Sequence, residues 1–356
     1  MEKKKFRKIG ILSSGGDAPG MSAVIKSVTC SAIARGVEVV GIIGGYAGLI
    51  NEDIRPLSIM DVSGIIAQGG TYLKSARCNE FKYEEGMQKA IATCKKFDID
   101  GIVAIGGDGT FRGATDLSIR GVPCIGIPGT IDNDITATDY TIGYDTAMNT
   151  IVRIGDQLRD TSESHARCCV MEVMGRDAGY IAIETGIALN AVGVALIETP
   201  FDKEALFEKI IKMRELGQRS FMVIVAEGLG TEFGEALTKE IEERTGVESR
   251  FVRPAHIVRG GTPTLRDRSL AGVMGDKAVD LLLNGVSDVV ICSRKNQIVA
   301  TDIKYALIVD RMFKNKLKDG DLDAFSAEEL ESMKALCEER RAYFNDMYDI
   351  MKTIGC

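Results

Sequence analysis

Histidine is scarce in this sequence, and long apolar runs are missing. The two histidines, His165 and His256, and the lack of any Cys-x-x-Cys pair argue against a zinc site. No uncharged apolar stretch reaches the roughly 18 residues that a membrane-spanning helix needs. The sequence therefore predicts neither a zinc protein nor a protein with a transmembrane helix.

Basic residues are also fewer than acidic residues. The chain has 44 Lys and Arg against 51 Asp and Glu, a formal net charge of −7, which argues against nucleic-acid binding driven by bulk charge. The charged N-terminus lacks the apolar region of a signal peptide, and nine cysteines without such a signal favour free thiols in a reducing compartment. We therefore expect a cytoplasmic protein that binds neither nucleic acid nor membranes.

Short apolar runs alternate with helical patterns along the 356 residues, a length that suggests about two domains. Helical patterns at 21–34, 84–97 and 202–216 follow such runs. Because several runs lack polar alternation, helices are expected on both faces of the sheets. This pattern predicts an α/β fold with mostly parallel sheets. The clearest predicted strands are 8–12, 37–43, 101–105, 124–127, 168–174, 191–197, 221–226 and 288–292.

The C-terminal segment has a helical pattern of its own. Ser326 and Glu329 have the spacing of a capping box. We predict an amphipathic helix packed on the body of the protein, with an oligomer contact as the alternative. The apolar residues that recur at steps of three or four are Leu330, Met333, Cys337, Phe344, Met347 and Met351.

Glycine-rich segments follow three of the predicted strands. Residues 13–21 read SSGGDAPGM, residues 106–110 read GGDGT, and residues 128–134 read PGTIDND. Glycines let backbone N–H groups approach a phosphate, and the N-terminus of a following helix favours an anion. The first segment alone is also typical of a plain tight turn, and it fits neither a Walker A loop nor the GxGxxG fingerprint.

Three aspartates in these segments are candidates for chemistry. Asp108 lies between Gly107 and Gly109 at a strand end, where it could hold Mg²⁺ or close an Asx turn. Asp132 and Asp134 point to the same side if their segment is extended. One would then accept a proton from a hydroxyl group while the other arranges metal or water.

Arginines next to strand ends or glycine turns complete the pattern, although some could form structural ion pairs instead. Arginine binds phosphate in a bidentate manner. Phosphate-binding loops, carboxylates and arginines together predict phosphoryl transfer. The arginines concerned are Arg77, Arg167, Arg176, Arg250 and Arg259.

The combined motifs resemble those of the bacterial ATP-dependent 6-phosphofructokinases. SGGDAPGM, IGGDGT, PGTIDND, DYTIGYDTA, MGRDAG and HIVRGG occur in the order and approximate spacing of that family, from about residue 8 to about residue 302. GGDGT alone is less specific, since NAD kinases and lipid kinases are similar there. NAD kinase activity is therefore one alternative hypothesis, and a non-catalytic sensor of sugar phosphate or nucleotide is another.

The resemblance implies two Rossmann-like α/β domains with mostly parallel sheets that face each other across an active-site cleft. Residues 1–143 plus 258–308 would bind the nucleotide. Residues 144–257 plus 309–356 would bind fructose 6-phosphate and include the C-terminal helical extension. The enzyme would be a glycolytic kinase that transfers the γ-phosphoryl group of MgATP to the 1-hydroxyl of fructose 6-phosphate, usually as a homotetramer.

The resemblance also implies roles for individual residues. Asp132 matches the proton acceptor, and Thr130, Asp134, Arg77 and Arg176 would assist catalysis. Asp108 matches the Mg²⁺ residue. The nucleotide contacts would be Gly16, Tyr46, Arg77, Cys78, Gly107, Asp108, Gly109 and Thr110. The sugar-phosphate contacts would be Thr130, Ile131, Asp132, Met174, Gly175, Arg176, Glu227, His256, Ile257, Val258 and Arg259, with Arg167 and Arg250 reaching the site from a neighbouring subunit.

Two glycines bear on the phosphoryl donor. Pyrophosphate-dependent relatives often carry an acidic residue where this chain has Gly109, and a lysine where it has Gly129. The resemblance therefore implies ATP as donor, with a pyrophosphate-dependent enzyme as the main alternative. Departures from the family's effector site predict that the usual effector response is absent or that another ligand is used. Lys26, Arg159 and Arg219 keep the basic character of the family's effector site, whereas Cys30, Ile59, Leu216 and Gln218 do not.

Overall fold

Mostly parallel strands form both sheets of the structure, a computed structural model that describes residues 6–355. The chain divides into two compact units. The first runs to Ile131 and continues through Ile135–Thr146 and Arg259–Cys337. The second comprises Asp132–Asp134, Ala147–Val258 and the segment from Glu338. The assignment of nucleotide and sugar phosphate to separate domains stays a prediction.

The twelve strands of the described residues are β1 (Lys8–Ser13), β2 (Glu38–Ile42), β3 (Ile54–Leu57), β4 (Gly101–Gly106), β5 (Cys124–Thr130), β6 (Ile142–Gly143), β7 (Cys168–Val173), β8 (Gly193–Ala195), β9 (Phe221–Ala226), β10 (Ser249–Val252), β11 (Val289–Arg294) and β12 (Gln297–Asp302). The twelve α-helices of the same residues are α1 (Met21–Ala34), α2 (Tyr46–Ile50), α3 (Ile59–Val62), α4 (Glu84–Lys96), α5 (Asp108–Ile119), α6 (Tyr144–His165), α7 (Tyr180–Ala188), α8 (Lys203–Glu215), α9 (Phe233–Thr245), α10 (Leu265–Leu283), α11 (Ile303–Phe313) and α12 (Ala327–Ile354).

The first unit is built on an eight-stranded sheet of order β12-β11-β5-β4-β1-β2-β3, with β6 paired to β5. The central strands β11, β5, β4, β1 and β2 are parallel, while the edge strands β3 and β12 pair antiparallel. All residues of β4 and β5 are buried. Apolar strands of this kind are expected where helices cover both faces of a parallel sheet.

The second unit has a four-stranded sheet of order β10-β7-β9-β8, in which all pairs are parallel. Every residue of β7 and β9 is buried. Val170 and Val223 of these strands lie in one core cluster with Phe207 of α8 and Ile241 of α9. The helices therefore bury the apolar sheet as the uninterrupted apolar runs of the sequence predicted.

These observations confirm the predicted α/β fold class. The predicted helix at 21–34 and strand at 221–226 coincide with α1 and β9, but the predicted strand at 191–197 is only the three residues of β8. The short strand β3 was not predicted, and it contains Pro56. Proline lacks the N–H that an inner strand needs, so β3 fits only at the sheet edge where it lies.

The predicted C-terminal helix is confirmed as α12. The Glu329 N–H donates to Ser326 Oγ at 3.2 Å, and the Ser326 N–H donates to Glu329 Oε2 at 2.8 Å, which completes the capping box. Met333, Cys337 and Phe344 are buried along one stripe of the helix. Among residues 6–355, no helix has the length and apolarity to span a bilayer.

Asp267 joins two segments of the first unit in one buried hydrogen-bond network. Its carboxylate accepts the N–H groups of Gly143 and Thr146, each at 2.9 Å, and the Thr146 hydroxyl at 2.5 Å. Thr264 caps α10 by accepting the Asp267 N–H at 3.4 Å. The residues from Gly143 to Thr146 belong to the DYTIGYDTA motif, so this network explains part of that motif structurally.

We expect Asp267→Ala to lower the free energy of unfolding by at least about 2 kcal/mol, because three buried donors lose their acceptor. Asp280→Ala is the matched control, since Asp280 lies on the same helix with a side chain that is 44% exposed and a partner, Lys277, at the surface. It should change stability by less than about 0.5 kcal/mol. Urea denaturation followed by circular dichroism measures both, and equal midpoints would contradict a structural role for this network.

Candidate active site

The β1–α1 and β4–α5 loops meet at one edge of the first sheet, because β1 and β4 are parallel neighbours. The Ser14 N–H donates to the carbonyl of Ile105 at 3.0 Å, and the Thr110 hydroxyl donates to the carbonyl of Ser14, also at 3.0 Å. A Cβ at Gly106 would overlap Ser14 and Thr110. Glycine is therefore required at position 106 for the two loops to pack together.

The other glycines of GGDGT face open space. A Cβ added at Gly107 or Gly109 would have no other atom of the described chain within 4 Å, apart from its chain neighbours and nearby helix backbone. Gly109 is exposed in the first turn of α5. Since α5 begins at Asp108, the N-terminus of this helix and its dipole favour an anion such as phosphate here.

Asp108 is the candidate magnesium ligand. Its side chain is one-quarter exposed, and its Oδ2 lies 3.6 Å from Nη2 of Arg112, one turn along α5. Among residues 6–355, no cluster of three or more histidine, cysteine or acidic side chains could cage a metal ion. One carboxylate beside a phosphate-binding loop nevertheless fits Mg²⁺, which takes its remaining ligands from water and phosphate oxygens.

A segment after residue 70 lies along the β1–α1 loop. The Ser75 hydroxyl donates to the carbonyl of Gly15 at 2.5 Å, and the hydroxyls of Ser13 and Thr71 are 2.6 Å apart. Arg77 and Cys78 follow directly, with Arg77 exposed and Cys78 half-buried against the core. The structure thus places both predicted nucleotide residues in a segment anchored beside the predicted phosphate loop.

Tyr46 and Thr110 have a supporting place in this site. Tyr46 is 4% exposed, stacks on Phe81 with ring centroids 4.1 Å apart, and donates its hydroxyl to the carbonyl of Thr110 at 2.6 Å. Burial raises the pKa of Tyr46 well above its ordinary value, so the hydroxyl stays a donor. Tyr46 therefore supports the first turn of α5 from the protein interior, whereas a contact with the nucleotide was predicted for it.

Arg259, predicted for the sugar-phosphate site, lies in the first unit beside the β1–α1 loop. Its Nη1 donates to the carbonyl of Asp17 at 3.0 Å. A Cβ at Gly16 would lie 2.8 Å from the same nitrogen, so glycine is needed for this approach. Arg259 thus orders the loop that carries the predicted nucleotide contact Gly16.

The PGTIDND segment departs from the extended conformation assumed for it. Asn133 has a φ of 51°, in the left-handed region that asparagine tolerates better than most residues. The alternation that would place Asp132 and Asp134 on the same side of an extended chain therefore does not apply. Thr130 and Ile131, which precede them, are both buried.

The two carboxylates of this turn belong to the second unit. Asp132 is 2% exposed. Asp134 has a side-chain exposure of 12%, and its Oδ2 lies 4.0 Å from Nη1 of Arg176. The turn therefore brings a buried carboxylate, a second carboxylate and an arginine together, which is the combination that the sequence predicted for catalysis.

Glu227 fixes the backbone beside Arg176. Its Oε1 accepts the N–H groups of Gly175 at 3.0 Å and Arg176 at 2.7 Å. Arg176 has a φ of 53°, an uncommon conformation for a residue with a side chain, and its side chain is 64% exposed. The hydrogen bonds to Glu227 thus stabilise a strained backbone that presents the arginine to solvent.

A cavity of about 510 Å³ lies at the carboxyl ends of β7 and β9. The exposed His256 lies on its wall, while Ile257 is exposed beside it and Val258 is buried. The lining residues are Glu172, Val173, Met174, Arg176, Asp177, Glu227, Gly228, Thr231, Arg253, Ala255 and His256. The predicted residues Met174, Arg176, Glu227 and His256 therefore share one pocket.

Arg167 and Arg250 lie away from this pocket. Arg167 precedes β7, and Nη2 is 2.9 Å from Oε1 of Glu248, which also pairs with Arg250. The hydrogen bond from Arg167 lowers the pKa of Glu248. At about 3.3 Å per residue, the six residues of β7 separate Arg167 from Met174 by roughly 20 Å. Within one chain, these two arginines do not join the predicted sugar-phosphate residues.

Sequence reasoning missed two carboxylates, one that lines the pocket and one that holds the end of the Arg176 loop. Glu172 binds Arg253 through two hydrogen bonds of 2.6 and 3.1 Å. Glu198 accepts the N–H of Gly179 at 2.8 Å, and its burial raises the pKa of the carboxyl. A lone acidic residue inside or just after a buried strand is the signal that points to both, as it did for Asp108.

Comparison with known proteins agrees with this architecture. A family model described as phosphofructokinase matches residues 8–282. The chain is 48% identical over 302 residues to the ATP-dependent 6-phosphofructokinase of Halalkalibacterium halodurans, covering 85% of this chain and 94% of that protein. It is 48% identical over 313 residues to ATP-dependent 6-phosphofructokinase 1 of Clostridium perfringens, covering 88% and 97%.

Solved structures agree at the level of the fold. Phosphofructokinase from Saccharomyces cerevisiae superposes with a TM-score of 0.82 at 28% identity over 93% of this chain, which spans 50% of the length of the yeast chain. A pyrophosphate-dependent phosphofructokinase from Marinobacter aquaeolei gives a TM-score of 0.75 at 22% identity. The match covers 84% of this chain and 83% of the Marinobacter chain. The extent of the family match and the identity to bacterial relatives place this chain in the phosphofructokinase family.

Proposed function

We propose that the protein is an ATP-dependent 6-phosphofructokinase of glycolysis. It transfers the γ-phosphoryl group of MgATP to the 1-hydroxyl of fructose 6-phosphate and gives fructose 1,6-bisphosphate and ADP. The observation that carries the proposal is the cluster of Asp132, Asp134 and Arg176 in the second unit. The 48% identity to bacterial enzymes of this name supports the choice of donor and acceptor.

Asp132 acts as the general base in this proposal. Its carboxylate accepts the proton of the 1-hydroxyl while the sugar oxygen bonds to the γ-phosphorus and the bond to the bridging oxygen of ADP breaks. A buried carboxylate is well suited to this role, because water has little access to it and competes less with the sugar hydroxyl for its hydrogen bond. Asp134 and Thr130 would orient the segment and the reacting hydroxyl.

Arg176 stabilises the negative charge on the transferring phosphoryl group, with Arg77 assisting from the nucleotide side. Charge neutralisation by preorganised groups is the main source of catalysis in phosphoryl transfer. Glu227 supports this role, because it accepts two backbone N–H groups beside Arg176 and leaves the guanidinium exposed. The backbone at Arg176 is thus held in place before any ligand binds.

Asp108 would hold Mg²⁺, directly or through a water molecule. The ion, when bound, neutralises charge on the phosphate oxygens of the nucleotide. The backbone of Gly107 and Gly109 and the N-terminus of α5 would bind those oxygens, because no side chain fills the space before them. Arg77, Cys78 and the loop at Gly16 would line the rest of the nucleotide site.

The cavity at the ends of β7 and β9 would bind fructose 6-phosphate. Its volume of about 510 Å³ lies within the usual range for small-molecule sites. Met174, Gly175, Glu227, His256 and the exposed Ile257 would contact the sugar phosphate. Arg253 is engaged by Glu172 and Thr231, so it shapes the wall of the pocket.

Arg167 and Arg250 would act in the active site of a neighbouring subunit. Arg167 precedes β7 and lies roughly 20 Å from Met174 at the carboxyl end of that strand, and Arg250 is paired with Glu248. In this proposal, both arginines would bind the sugar phosphate held by a second copy of the chain. This is consistent with a homotetramer in which active sites are shared between subunits.

Gly109 and Gly129 support ATP as the donor. Space is open at Gly109 for a nucleotide, and a side chain there would occupy it. At Gly129, a Cβ would lie 2.9 Å from Ile105 and 3.1 Å from Met21, so a lysine would not fit without movement. Wild-type protein should therefore turn over with ATP and not with pyrophosphate.

We expect Asp132→Asn to lower kcat by about 10²- to 10⁴-fold, as loss of a general base does, while fructose 6-phosphate binding measured by calorimetry is largely retained. The rate is measured as fructose 1,6-bisphosphate formation with Mg²⁺ and ATP. Asp156→Asn, at an exposed position of α6, is the control and should leave kcat unchanged.

Turnover of the Asp132→Asn variant near the wild-type rate would overturn the assignment of the base. Folded wild-type protein that turns over with neither ATP nor pyrophosphate would instead refute the enzyme proposal and favour a sensor. Phosphorylation of NAD in the same preparation would favour the NAD kinase alternative.

The donor site can be tested separately. We expect Gly109→Asp to lower kcat/KM for ATP by about 100-fold, because a carboxylate would face the phosphates of the nucleotide. Ile119→Asp is the matched control, since it adds the same charge at a position of α5 that is 76% exposed. The proposed nucleotide position is wrong if the two variants have the same kcat/KM for ATP.

A further inference from the structure

The C-terminal helix has no role in the function described so far. The family model matches residues 8–282, whereas α12 begins at Ala327. From Glu338 onward, this helix belongs to the second unit, which also holds the loop of Arg176. Its contacts within that unit are therefore the place to look for a function.

Two neighbouring residues of α12 contact the first turns of α7. Phe344 is 2% exposed, and its ring centroid lies 4.4 Å from that of Tyr180. Tyr343 lies 5.9 Å from Tyr180 between ring centroids and donates its hydroxyl to the carboxylate of Glu184. Tyr180 and Glu184 are one turn apart on α7, so both contacts fall on the same face of that helix.

Burial raises the pKa of Tyr343, with the Glu184 carboxylate acting in the same direction. The phenol therefore keeps its proton at neutral pH and remains a hydrogen-bond donor to Glu184. The ring contacts of Tyr180 add an aromatic cluster to this hydrogen bond. Together they hold the start of α7 on the side of α12.

The start of α7 is also the end of the Arg176 loop. Residues 174–179 connect β7 to Tyr180, and the loop closes on itself through the hydrogen bond from the Ala178 N–H to the carbonyl of Gly175 at 3.0 Å. The Gly179 N–H donates to Glu198. β7 and Glu227 hold the first part of this six-residue loop, and the position of α7 sets where its other end lies.

We propose that Tyr343 and Phe344 are positioning residues, which hold Arg176 in place for the sugar phosphate through their contacts with Tyr180 and Glu184. The proposal rests in part on the proposed function, since it concerns the same sugar-phosphate pocket. It assigns to the C-terminal helix a contribution to substrate binding. The helix would act on fructose 6-phosphate and not on the nucleotide, whose predicted contacts lie in the first unit.

Hydrogen exchange tests the structural step without any assay of activity. In Phe344→Ala and Tyr343→Phe, amides of residues 174–184 should exchange at least about tenfold faster than in the wild type, because the contacts that hold α7 are weakened. Met351→Ala is the matched control. Met351 is a buried residue of the same helix two turns further on, so its loss weakens helix packing away from Tyr343 and Phe344.

Steady-state kinetics tests the functional step. We expect Phe344→Ala to raise KM for fructose 6-phosphate about tenfold, since small misplacements of binding groups are costly, with KM for ATP unchanged. Phe344→Leu should recover part of this loss, and Tyr343→Phe should show a smaller rise in the same direction. Met351→Ala should leave both KM values at the wild-type level.

The possible outcomes separate the hypotheses. Equal rises in both KM values, or a rise in Met351→Ala as large as in Phe344→Ala, would overturn the proposal in favour of general stabilisation. Unchanged exchange of residues 174–184 in Tyr343→Phe and Phe344→Ala would overturn it as well. If Phe344→Ala does not fold, Tyr343→Phe decides alone. Inactive wild-type protein whose exchange responds as expected would refute the proposed function and leave the positioning contact in place.

Discussion

Parallel pairing of β4 with β1 and β5 is the constraint on which the first half of the site depends. Parallel strands end at the same sheet edge, so loops that are distant in sequence meet there. The Ser14 carbonyl accepts the Thr110 hydroxyl at this edge, and only glycine at position 106 allows the approach. Beside this contact, the backbone at Gly107 and Gly109 faces open space.

In the second unit, parallel strands likewise bring distant segments together, and here carboxylates hold the loop. Glu227 and Glu198 follow neighbouring strands, and each accepts backbone N–H groups of the 174–179 loop. The loop keeps an unfavourable backbone conformation at Arg176 because both of its flanks are held. In the proposed function, a hexose phosphate would meet an arginine whose backbone is already ordered, so less conformational entropy would be lost on binding.

Much of the fold was predictable because the strands are apolar throughout and the helices follow them with clear periodicity. The edge strands β3 and β12 were not predicted, since polar or proline-containing segments become strands only when a neighbouring edge is available for pairing. Similarly, the roles of Tyr46 and Arg259 as supports of loops depend on contacts with residues far away in the sequence.

The sequence by itself determined the chemistry of this protein, because glycines, aspartates and arginines in fixed short spacings identify phosphate-binding loops and a known family. Tertiary structure alone decided which of these groups face a ligand and which hold the loops in place. Asn133 shows the difference: its left-handed backbone sets the direction of Asp132 and Asp134. The physical reason is that backbone turns, burial and long-range hydrogen bonds orient a side chain, and local sequence encodes none of the three alone.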